Sequence, residues 1–396
     1  MKSFRLLITC LWAVSMTLAA CAPTPTPFPL SPLNPQATDT VIPPTLTAAP
    51  SSTFTVTPAP TASITPTVPP TRASTASLTP TVTRTAWPID APGLGSLAKK
   101  QGLYIGAAVE ASLLAEETAY QETILKEFNI LAPEQEMSMC VVWPERETWN
   151  FEASDALVKF AQANKIRTRG PSLVGTDCIP DWITEGEFTP VEASDILKKY
   201  ISTVVGRYRG KVAYWDVVNN TLEAQPIWAT LIGPIYIERA FEWAHAADPR
   251  AKLFYSDHSA EVMNKKSDLQ YDFLRNLQYK NVPVNGLGMQ MHLNASIQKE
   301  SVAENIERIN ALGLEVHITH FGIAPIAGAA YADELQAMVY EDMLTVCLKA
   351  RNCPVFMMWG FTDKYIHPDQ PDADALIFDD HYQPKPAYEA LYKALQ

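Results

Sequence analysis

From residue 94 onward, short apolar runs rich in β-formers alternate with longer segments in which apolar residues recur every three or four positions. The runs predict strands at residues 103–109, 130–133, 166–173, 212–218, 253–256, 284–289, 314–319 and 355–359. Helical periodicity fills the intervals, for example over residues 154–164, 235–247, 267–277, 302–312 and 333–350. Eight strand-then-helix units in roughly 300 residues predict an α/β fold, a closed (β/α)8 TIM barrel of parallel strands.

Upstream the periodicity vanishes. Residues 22–93 are dominated by Pro, Thr, Ser and Ala with almost no charge, a composition that cannot bury a core and predicts a disordered, semi-rigid Pro/Thr-rich linker or stalk. Ahead of it, Lys2 and Arg5 precede an apolar run at residues 6–18, too short to span a bilayer comfortably and patterned as an export signal. The run ends in Leu18-Ala19-Ala20-Cys21, which resembles a bacterial lipobox. Three segments are therefore expected: 1–21, a lipoprotein signal with a lipidated Cys21; 22–93, the stalk; and 94–396, the barrel, held outside the cell on a membrane anchor.

Composition sharpens this picture in two ways. The net charge of −12 and the absence of a basic stripe argue against a nucleic-acid partner. Four cysteines remain beyond the anchor in an oxidising compartment; Cys347 and Cys353 are close enough in sequence to bridge, and Cys140 with Cys178 is a further pairing. No cysteine and histidine spacing resembles a zinc site, and His258, His292 and His320 at strand ends lack a chelating spacing, so neither metal nor cofactor is expected. The domain is expected to be a monomer.

Chemistry in such barrels gathers where the strands end. The residues to weigh there are Glu134 and Glu136, Arg169, Asn219 and Asn220, Gln290 and His292, His320, and Trp359.

At these positions the chain resembles glycoside hydrolase family 10, the family of endo-1,4-β-xylanases. The stretches that carry the resemblance are Trp215-Asp216-Val217-Val218-Asn219, Gly288-Met289-Gln290-Met291-His292-Leu293 and Trp359-Gly360-Phe361-Thr362-Asp363. Pro133-Glu134-Gln135-Glu136-Met137, Leu376-Ile377-Phe378-Asp379 and Pro384-Lys385-Pro386-Ala387-Tyr388 also fit. The resemblance implies a retaining mechanism with two carboxyl groups about 5 to 5.5 Å apart. It places the acid/base glutamate directly after Asn219, where this chain has Asn220, and the nucleophilic glutamate after Ile318-Thr319, where it has His320. It also implies sugar contacts from Glu134, Asn219, Gln290, His292 and Trp359.

Other positions depart from the family pattern. Pro171 stands for a histidine, Gly175 and Thr176 for a tryptophan and histidine pair, Gln135 and Ser138 for an asparagine and a lysine, Gly322 for an aspartate, and His367 for a tryptophan. An amide has no proton to give near neutral pH, so Asn220 cannot act as a general acid. The resulting expectation is a catalytically impaired surface lipoprotein that binds a xylan-like polysaccharide or oligosaccharide. Two alternatives stand beside it: an active hydrolase with relocated carboxylates, for which Glu223 and Asp177 are the weak candidates, and an interaction scaffold without sugar affinity.

Overall fold

A computed structural model describes residues 91–223, 226–293, 296–324, 331–366 and 374–396. The expected lipidation site Cys21, the signal, nearly all of the stalk, and His367 lie outside the described residues.

Eight parallel strands close into a barrel in sequence order: β1 Tyr104–Val109, β2 Ile130–Pro133, β3 Arg167–Gly170, β4 Tyr214–Asn219, β5 Lys252–His258, β6 Gly286–Leu293, β7 Glu315–Ile323 and β8 Val355–Trp359. Pairing of β8 with β1 closes the cylinder, with Tyr104 opposite Val355. The barrel read from the alternation of apolar runs is thus the observed one.

Two differences from the expected strands have physical causes. The third strand stops at Gly170, because Pro171 has no backbone N–H to continue the ladder. The fifth, sixth and seventh run on to His258, Leu293 and Ile323, since backbone pairing continues through polar side chains that end the apolar pattern. An 18-residue helix, Pro190–Arg207, was not among the expected stretches. Its start carries the usual local signals: Thr189 caps the Glu192 N–H, Glu192 returns a bond to the Thr189 backbone, and Pro190 opens the first turn.

Alternation along the strands divides the buried side chains into two layers. One set packs outward against the helices, as do Ile105, Leu131, Trp215, Leu253, Val316 and Phe356. The other faces the barrel axis, where Ile130, Ala132, Tyr214, Phe254, Val355 and Met357 form a separate apolar plug. Disulfides join Cys140 to Cys178 and Cys347 to Cys353.

Candidate active site

Bulges set the geometry of the barrel mouth. Between Ile318 and Phe321, β7 advances three residues while β8 advances two, from Phe356 to Met358. Against β6 the same stretch advances from Thr319 to Gly322 while its neighbour moves only from Gln290 to His292. One extra residue is therefore inserted into β7, and His320 lies within it with a left-handed φ of 55°. A second irregularity in β4, between Asp216 and Val218, precedes Asn219 and Asn220. Asn220 is also left-handed, at φ 53°, and its N–H donates to the Ser256 carbonyl at 3.1 Å. Asparagine and histidine are among the residue types that tolerate this conformation best.

These strand ends surround a cavity of about 700 Å³. Of the residues expected at the site, Glu134, Asp177, Asn219, Asn220, Gln290, His320 and Trp359 line it. The side chain of His292 lies outside the described residues. Glu223 is not part of the cavity lining: its side chain is 63% exposed and ion-paired at 2.9 Å with Lys266, which also holds Asp257 at 2.9 Å. The hydrogen bond and charge of Lys266 hold its carboxyl below the usual range, the opposite of what a proton donor needs. Glu315, at the far end of β7, is engaged by Lys252 and His317 and is absent from the lining.

The imidazole of His320 lies flat on the Trp359 indole, with centroids 4.0 Å apart and planes within 9°. One indole face is thereby occupied, and any sugar stacking on Trp359 must use the other. Across the cavity floor, Gln290 Nε2 donates to Asn219 Oδ1 at 3.1 Å, so these two amides orient each other. The Asn220 Oδ1 and the Ser172 Oγ are buried with no hydrogen-bond partner among the described residues.

Among the described residues, three carboxyl groups line this space. Asp216 is bound to Arg169 through Nε at 2.9 Å and Nη2 at 2.5 Å, and it accepts a bond from Ser256 Oγ. Arg169 also donates to His317 Nδ1 at 2.6 Å, and His317 Nε2 lies 3.4 Å from Glu315. Gly288 makes room for this network, because a Cβ there would fall 2.2 Å from Ser256 Oγ. Burial pushes the His317 pKa down to about 4, so the ring is neutral and accepts from Arg169. For Glu134, burial and the neighbouring Glu110 and Glu136 push the pKa up to about 8, leaving a protonated carboxyl at neutral pH. Asp177 is exposed and accepts from the Thr176 hydroxyl at 3.2 Å.

The arrangement offers amide, hydroxyl and aromatic groups suited to a polyhydroxylated ligand. The Arg169–Asp216–His317 network had not been read from the sequence, although one signal was present: Asp216 and His317 are ionisable residues flanked by apolar ones inside strands β4 and β7. For a metal, the ligand atoms of Asp379, Asp380 and His381 lie within 4.8 Å of one another, but these residues are outside the cavity lining. The Asp379 carboxylate there accepts the backbone N–H groups of His381 and Gln383.

Comparison with known proteins finds a matching family model and similar xylanases. The family model "Glycosyl hydrolase family 10" matches residues 93–394. Endo-1,4-beta-xylanase B of Thermotoga neapolitana is 38% identical over 320 residues, which cover 78% of this chain and 92% of the relative. Xylanase 10B of Thermotoga petrophila RKU-1, solved in complex with xylobiose, is 36% identical, with a TM-score of 0.75 over 78% of this chain and 98% of that one. A Glu-to-Ala mutant of the intracellular xylanase of Thermoanaerobacterium saccharolyticum, in complex with xylotetraose, is 31% identical with a TM-score of 0.72, covering 76% and 98%.

Proposed function

The chain belongs to glycosyl hydrolase family 10, and from that membership we propose that its cavity binds β-1,4-linked xylan or xylo-oligosaccharide while hydrolysis is strongly impaired. One observation carries this reading. The two strand ends where the resemblance implies glutamates bring an amide, Asn220, and an imidazole stacked on indole, His320, to the cavity. Double displacement needs one carboxylate to attack and one carboxyl to protonate the leaving oxygen. Loss of the general acid alone forfeits about 10²- to 10⁴-fold in rate, and loss of the nucleophile removes the covalent route. Binding requires neither group. The xylotetraose complex of the Glu-to-Ala relative supports retention of sugar binding without a full set of glutamates.

In the same reading Cys21 carries the lipid and the stalk holds the barrel off the membrane. Metabolic labelling with a radioactive fatty acid tests that half: label is expected on the full chain and not on Cys21→Ala.

Titration of the purified protein with xylotetraose, paired with an aryl-xyloside hydrolysis assay, tests the binding half. Saturable binding without turnover is expected, and Trp359→Ala should weaken it by tenfold or more. Turnover at the rate of an ordinary xylanase would end the proposal. A second reading, a hydrolase with a relocated acid, is favoured by one group: the Glu134 carboxyl, which stays protonated up to about pH 8 inside the cavity. Any residual cleavage abolished by Glu134→Gln would support it.

A further inference from the structure

We propose that Asp177 is a sugar-recognising carboxylate of the cavity and that the Cys140–Cys178 disulfide is what positions it. This inference rests on the binding function proposed above and names a residue on which binding depends.

The three cavity carboxyls differ in what they can offer a ligand. Asp216 is already committed to Arg169 and Ser256, and Glu134 is held neutral by burial and its acidic neighbours. Asp177 has the Thr176 hydroxyl as its hydrogen-bond partner and no cation on it among the described residues, which leaves acceptor capacity on both oxygens. A carboxylate with two acceptor oxygens matches a vicinal pair of sugar hydroxyls, and O–H···O⁻ bonds are among the stronger neutral-to-charged contacts.

The wall that carries Asp177 packs on the core through Ile179 but has few backbone hydrogen bonds to hold it. Up to residue 174 the segment after β3 is tied to β4: Leu173 N–H donates to Asp216 O at 2.8 Å, Val174 N–H to Val217 O at 3.0 Å, and Asn219 N–H to Val174 O at 2.9 Å. From residue 175 to residue 179 that support ends. Among the described residues, the backbone hydrogen bond made by this stretch is Cys140 N–H to Cys178 O, at 2.9 Å. Gly175, Asp177, Cys178 and Ile179 nonetheless line the cavity. On the other side of the bridge, Ser138 and Met139 line it too, next to the short helix Met139–Val142 that contains Cys140. The disulfide therefore staples an irregular wall to a regular one, beside the residue whose placement matters, with Cys178 itself left-handed at φ 52°.

Reduction by an external dithiol would transfer two electrons and two protons to the bridge, giving two thiols while the dithiol becomes its own disulfide. The test uses the full chain and xylotetraose as the probe. Asp177→Asn, the paired variant Cys140→Ser/Cys178→Ser, and the triple combination form a double-mutant cycle. Each is expected to weaken binding by about tenfold, and the combination no more than either alone, because both changes remove one contact. Amide exchange of residue 140, whose N–H donates to the Cys178 carbonyl, should quicken at least tenfold in the bridge variant, while that of residue 174 stays as it was. Cys347→Ser/Cys353→Ser, at the opposite end of the barrel, should change neither reading. If the Cys140/Cys178 variant does not fold, dithiol treatment of the Cys347→Ser/Cys353→Ser chain breaks the same bridge in its place. Additive losses, unchanged exchange, or intact affinity in Asp177→Asn would overturn the inference. Failure of the unaltered chain to bind xylotetraose would instead sink the functional reading, with the exchange rates still deciding whether the bridge positions the wall.

Discussion

The mouth of the barrel and the layer directly beneath it are built from the same strands yet follow opposite rules. Beneath, the charges are paired: Arg169 meets Asp216, Ser256 and His317 join them, and Glu315 with Lys252 closes the chain at the far end, where His317 Nε2 and Glu315 Oε2 lie 3.4 Å apart without a hydrogen bond. At the mouth, Glu134 sits beside two further glutamates, Asn220 Oδ1 and Ser172 Oγ have no hydrogen-bond partner among the described residues, and a Cβ placed on Gly322 would meet none of those residues within 4 Å. A satisfied buried network stabilises a fold, whereas unsatisfied polar groups around a cavity cost stability until a ligand supplies the missing bonds. The difference separates what holds this molecule together from what it does.

The largest effect should come from breaking the lower layer. Asp216→Ala strands the Arg169 charge in the interior and is expected to cost about 3 to 5 kcal/mol, read as a large fall in the thermal midpoint. The mouth should respond in the other direction. Because the folded-state pKa of Glu134 is raised to about 8 from its ordinary 4.5, its contribution is fully present below about pH 4.5 and is lost as pH rises through 8. Glu134→Gln should thus stabilise the protein at pH 8.5 by roughly 3 kcal/mol and change little at pH 4.5, as followed by denaturant unfolding at both pH values.

Next comes His317, whose folded-state pKa is lowered to about 4. The unfolded chain takes up this proton first as pH falls through 6.5, so stability should drop by about 2 to 3 kcal/mol between pH 6.5 and pH 4, and His317→Gln should flatten that part of the profile. The smallest effect is expected at Asn220, where Asn220→Gly relieves a left-handed backbone and should shift stability by less than about 1 kcal/mol. A large loss there would mean that the mouth is as tightly determined as the layer below it.

The chain itself announced the barrel, because apolar runs of strand length mark each unit independently of its neighbours. It also announced the mouth, since Glu134, Asn219, Asn220, Gln290, His320 and Trp359 lie in or just after the C-terminal parts of their strands and line the cavity. The buried network was hidden because Arg169 and Asp216 are 47 residues apart and His317 is 148 from Arg169, distances at which no local pattern signals pairing. Glu223 illustrates the converse: three residues from Asn220 in sequence, it turns outward to Lys266. The orientation of His320 was equally invisible, being decided by ladder registers on both sides of β7 and not by its neighbours in the chain.

The inserted residue in β7 has a consequence for how this scaffold can change. Because the kink, not the imidazole, delivers position 320 to the chamber, the scaffold behaves as a socket that accepts different tools without being rebuilt. Side chains of different chemistry can be exchanged there one codon at a time while the strand around them keeps its course.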